Sequence, residues 1–102
     1  MKYSVNLSSE AAKDIAEIYE YISVILGEEE VAKNMLALLR KNILSLNEMP
    51  GRFRLYESEP WKSRGVHIMS VKKYLVFYIT NENKKTVDVL RRHPIRKYFL
   101  KM

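Results

Sequence analysis

Cysteine is absent from the 102 residues, so the chain has no disulfide framework and no thiolate to serve as nucleophile or metal ligand. Histidine occurs only twice, as His67 and His93, leaving scattered carboxylates as the remaining ligands, and the expectation is a protein with neither metal nor cofactor. Three glycines and three prolines are too few for a linker-rich or low-complexity chain. No run approaches the roughly 20 apolar residues needed to cross a bilayer. The N-terminus also lacks the pattern of a secretory signal. These absences point away from membranes and towards a soluble, cytoplasmic protein.

What is present suits one small domain. A second domain would leave each half too little apolar surface to offset the entropy of folding. With 47% hydrophobic and 11% aromatic residues, the chain can build one core. Its net charge of +6 is unevenly placed. Residues 1–50 hold five Lys/Arg against eight Asp/Glu, a balance of −3, whereas residues 51–102 hold thirteen against four, a balance of +9. A cationic half of this kind attracts a polyanion, either nucleic acid or an acidic protein segment.

Tyr3, Val5 and Leu7 alternate in "YSVNL", the period-two signature of a short strand. Ser8 or Ser9 then offers an N-cap oxygen to an amphipathic helix whose apolar stripe is Ile15, Ile18, Tyr19, Ile22, Ile25 and Leu26, ended by Gly27. Glu28 to Glu30 place three carboxylates where the dipole of a second helix favours them. Val31, Met35, Leu36, Leu39, Ile43 and Leu46 form that helix's expected inner face, and Pro50 and Gly51 stop it.

The connector "PGRFRLYESEPWKSRGVH" carries Arg52, Arg54, Lys62 and Arg64 and the only tryptophan, Trp61. Beyond it, "GVHIMSV", "YLVFYIT" and "TVDVL" read as three strands, the last with Val87 and Val89 on one face and Asp88 and Leu90 on the other. The expected fold is α+β: an N-terminal strand, an antiparallel helix pair, then a three-stranded antiparallel meander completing a twisted antiparallel sheet with the helices on one face. Pro94 ends the last strand near Arg92 or His93, and residues 93–102 read as a tail or a short basic helix.

The phrases "LSSEAAKDIAEIYEYIS", "MPGRFRLY", "SRGVHIM", "YLVFYIT" and "VDVLR", in this order, resemble the RelE/ParE superfamily, toxins of type II toxin-antitoxin systems that include plasmid stabilisation proteins. The resemblance covers about residues 3–92. It implies a RelE-like fold and a cognate antitoxin, typically acidic, whose tail wraps the toxin through complementary potential and helix-in-groove contact. It leaves two targets open. RelE-like members cleave ribosome-bound mRNA without a metal, whereas ParE-like members inhibit DNA gyrase without established catalytic residues. An inactive, degenerate member is a further alternative, as is a nucleic-acid-binding module outside the family.

Metal-free RNA cleavage needs groups that move protons and cations that stabilise a phosphorane. The resemblance places such groups at Arg91, His93, Arg96 and Tyr98, with His67 also available for proton transfer. In the nuclease subgroup an arginine follows the tyrosine opening the central strand, whereas here Tyr74 is followed by Leu75. The same likeness puts Arg52, Arg54, Lys62 and Arg64 on the rim of a nucleic-acid-binding face. Trp61 is read either as a base-stacking platform or as an anchor for its loop, and Glu57 and Glu59 as local ion-pair partners for Arg54 and Arg64.

Overall fold

The Ser8 hydroxyl accepts the Ala11 amide at 3.0 Å, fixing the start of the first helix where the sequence placed a capping serine. In a computed structural model that describes residues 2–90, strand β1 (Ser4–Leu7) leads through this cap into helix α1 (Ser9–Glu20). A π-helical turn, Tyr21–Ile25, extends α1, and the Leu26 amide donates back to the Tyr21 carbonyl at 3.0 Å. Gly27 adopts φ +68°, the left-handed conformation that reverses the chain at no side-chain cost. Helix α2 (Glu29–Leu44) runs back, with Glu29 and Glu30 in its first turn. After the connector come β2 (His67–Val71), β3 (Tyr74–Asn81) and β4 (Thr86–Val89).

The element order agrees with the sequence reading, but the sheet is mixed. Its strand order is β1-β4-β3-β2, with β2, β3 and β4 antiparallel in sequence and β1 parallel to β4. The helix pair and connector carry the chain across the sheet to its far edge, so β1 meets the last strand. A connection of that length permits parallel pairing, which a tight hairpin would forbid.

One face of the sheet packs on the helices. Met69, Val71, Val76, Tyr78, Val87 and Val89 meet Ala11, Ile18, Ile22, Ala32, Leu39, Ile43 and Leu46 in the main core. The other face carries a smaller cluster, Val66, Ile68 and Phe77, covered by Tyr56 and Trp61 from the connector. The inner faces read from the helices need partial correction. Ile25, Leu26, Val31 and Leu36 are 69, 50, 50 and 39% exposed. The π turn adds a residue to its repeat and rotates the stripe, so Ile22 stays buried while the residues after it turn to solvent. Ala32, fully buried, replaces Val31 at the helix contact because a methyl group lets the backbones approach closely.

Candidate interaction surface

Arg52 is taken up by the end of the second helix. Its guanidinium donates to the carbonyls of Ser45, Glu48 and Met49 and to the Ser45 hydroxyl at 3.0 Å, and lies 4.7 Å from the Phe53 ring centroid. A cation on the carbonyls that follow the helix complements the negative end of its dipole, which gives Arg52 a structural task.

Arg54, Lys62 and Arg64 are exposed on the connector. Among the described residues the ion pairs are Lys2 with Glu48 at 3.6 Å and Lys85 with Glu82 at 3.7 Å, so the expected pairing of Glu57 and Glu59 with Arg54 and Arg64 is not formed. Glu59 instead accepts the Ser63 amide at 3.0 Å, and bonding to Ser63 holds its carboxyl below the usual range. The Arg64 guanidinium sits 5.4 Å from the Trp61 ring centroid. Trp61 is half-buried against Val66, Ile68 and Phe77, so it anchors the loop, with Arg64 against its ring.

Tyr78 and His67 form a polar stack on the helix side of the sheet. Tyr78 is fully buried, its hydroxyl donates to the Pro50 carbonyl at 2.5 Å, and desolvation pushes its pKa up to about 12 against a small opposing pull from Arg52. A phenol so held stays protonated at neutral pH. The His67 ring lies 5.2 Å from that of Tyr78 and 15° off parallel, and its Nδ1 is 2.8 Å from the Phe53 carbonyl, which requires a proton on Nδ1. Both rings therefore pin the start of the connector to β2 and β3.

At the opening of β3, Tyr74 packs on the main core with the Lys73 ammonium 5.8 Å from its ring centroid. Leu75 packs on the Val66, Ile68 and Phe77 cluster. Between α1, α2 and the sheet lies a cleft with about 20 Å³ of free space, lined by Ile15, Ile18, Tyr74, Val89 and Leu90 among others. That space holds about one water molecule and no organic substrate.

Asp14 also lines this cleft at 3% exposure, and the sequence reading passed over it. Its signal was positional, since it falls between Ala11 and Ile18 on the buried stripe of α1. A buried carboxylate persists only with partners, and Asp14 has at least one.

The four candidates Arg91, His93, Arg96 and Tyr98 lie outside the described residues. Among the described residues no group of three metal-ligating side chains converges, and no helix is long and apolar enough to cross a membrane.

The fold, a helix hairpin on one face of a small mixed sheet with a cationic connector on the other, is that of type II toxins. Two solved structures share it with a TM-score of 0.67. One is the chromosomal ParDE toxin-antitoxin system from P. aeruginosa, at 20% identity over 88% of this chain and 92% of that one. The other is the toxin-antitoxin complex RelBE2 from Mycobacterium tuberculosis, at 18% identity over 89% of this chain and 95% of that one. At such identities the likeness establishes the fold. No curated protein sequence matches the chain. The family described as ParE toxin of type II toxin-antitoxin system, parDE, matches residues 5–91. The chain belongs to the ParE toxin family.

Proposed function

We propose that this toxin inhibits growth by binding DNA gyrase as a non-enzymatic inhibitor, and that a cognate acidic antitoxin neutralises it. The observation carrying this reading is Leu75. The position after Tyr74, where the nuclease subgroup has a phosphate-stabilising arginine, holds an aliphatic side chain packed on Val66, Ile68 and Phe77. The described proton-transfer candidate, His67, and the phenol stacked on it are also committed elsewhere. His67 Nδ1 is bonded to the Phe53 carbonyl, and the Tyr78 phenol is buried and protonated. A site for RNA cleavage needs a cation and a proton carrier converging on one phosphate. The described residues bring no such pair together. The exposed cations Arg54, Lys62 and Arg64, in no ion pair among the described residues, instead form a dispersed basic surface suited to an acidic protein segment or to DNA held by a protein target.

The antitoxin follows from the family and from solved relatives that are toxin-antitoxin complexes. The deciding experiment adds purified toxin to a gyrase supercoiling assay and, in parallel, to a reconstituted translation mix read by primer extension. Blocked supercoiling with intact message is expected. Ribosome-dependent cleavage that disappears in Arg91→Ala or His93→Ala would overturn the proposal and assign catalysis to those side chains.

A further inference from the structure

The helix hairpin ends in an exposed apolar tip. Tyr21, Val24, Ile25 and Leu26, in and just after the π turn, are 48, 70, 69 and 50% exposed, and Val31 in the first turn of α2 is 50% exposed. Exposed apolar side chains are ordinary when scattered, but five at one reversal form a patch of the kind that marks a contact surface. The tip is firmly built. Besides the Leu26 bond to Tyr21, the Glu28 amide donates to the Ile22 carbonyl at 3.0 Å and the Ala32 amide to the Glu28 carbonyl at 3.0 Å. Ile22 and Ala32, both buried, fix its base in the main core. The π turn thereby holds apolar side chains outward on a backbone that packing keeps still.

The charge around the patch is opposite in sign to that of the whole protein. Glu17, Glu20, Glu28, Glu29 and Glu30 are exposed, and residues 15–32 contain no Lys or Arg. None of the five takes part in an ion pair among the described residues, and Glu28 makes no side-chain cap to α2. Helix α2 has 16 residues, which puts about 24 Å of helix between this acidic end and the segment that leads into the basic connector. The two ends of α2 therefore lead to surfaces of opposite sign.

We propose that the tip is the surface by which the toxin grips its protein target, seating Val24 and Ile25 in an apolar cleft with a basic rim. This rests on the gyrase reading and specifies which surface makes the protein contact. The charge selects the occupant. DNA, an anionic membrane and an acidic antitoxin all carry the sign of the rim and are repelled by it. A second copy docked tip to tip would set carboxylates against carboxylates, and one docked tip to connector would leave one tip and one connector uncovered in every dimer. An enzyme that holds duplex DNA presents cationic surface to do so, and that surface complements the rim.

The test uses purified full-length toxin, purified DNA gyrase and relaxed plasmid. Supercoiling reads inhibition, and gyrase binding to immobilised toxin without DNA reads the protein contact. Val24→Ser with Ile25→Ser removes the apolar tip and keeps the charge, and is expected to weaken both readouts by about tenfold or more with unchanged circular dichroism. Glu28→Gln with Glu30→Gln keeps the apolar tip and removes two charges, and is expected to weaken binding about threefold and to lower its salt dependence. Inhibition undiminished by both pairs of substitutions overturns the tip as the contact while leaving the gyrase reading intact. Antitoxin binding lost in the serine pair would reassign the tip to the antitoxin, and a toxin dimer dissolved by that pair would reassign it to a second copy. Either result overturns the proposal. Unsubstituted toxin that leaves supercoiling untouched would remove the gyrase reading itself, and this proposal with it.

Discussion

Replacing Tyr78 with phenylalanine separates a structural phenol from everything else at that site. The ring keeps its stack on His67 and its place in the core, and only the hydroxyl on the Pro50 carbonyl is removed. Pro50 is buried, so its carbonyl loses a donor that water cannot readily replace. Leaving such an acceptor unsatisfied costs about 1–3 kcal/mol. For a domain of this size that lowers Tm by roughly 4–8 °C for each kcal/mol. The pH dependence supplies a second, sharper test. Tyr78 titrates at about 12 in the folded protein and near the ordinary tyrosine value of 10.0 when unfolded. Its folded pKa is raised, so its contribution is fully present below pH 10 and is lost as pH rises from 10 towards 12. The two-unit difference corresponds to about 2–3 kcal/mol. Thermal unfolding of both proteins from pH 7 to 11.5, followed by circular dichroism, should therefore show a gap that is constant below pH 9 and narrows above pH 10. Equal Tm at pH 7, or a gap that does not narrow, would refute the reasoning.

Gly27→Ala should destabilise by about 1 kcal/mol from its φ of +68° alone, because an added Cβ meets nothing within 4 Å; chemical denaturation measures this. Lys72 holds φ +57° in the turn between β2 and β3, and Lys72→Asn should raise stability by up to about 0.5–1 kcal/mol by the same assay. Arg52→Ala should cost about 1 kcal/mol through loss of its carbonyl contacts, with little change in binding to duplex DNA. The double variant Arg54→Ala, Arg64→Ala should do the reverse: stability changes within about 0.5 kcal/mol, while the slope of log affinity against log salt falls by up to about 2. An unchanged slope would mean that neither side chain reaches a phosphate.

The local elements were legible in the sequence because each rests on interactions between near neighbours. The Ser8 cap, the Gly27 reversal, the acidic start of α2 and the split of Val87 and Val89 from Leu90 all follow from spacing and backbone preference. The charge asymmetry was equally plain, and it sets the kind of partner the basic half attracts. Tertiary structure decided what those elements do to one another. The pairing of β1 with β4 depends on where the helix pair delivers the chain, which no local pattern encodes. The fates of the four rim cations diverge for a similar reason. Arg52 lies within reach of the carbonyls ending α2 and is consumed there, whereas Arg54, two residues on, is exposed. The π turn rotates Ile25 and Leu26 to solvent against their apparent stripe. Asp14 is buried because an apolar stripe closes over whatever occupies the third helical step. Hydrophobic periodicity fixes which residues can share a face, while the cost of unpaired backbone and charge, settled only on packing, fixes which side chains remain free to bind.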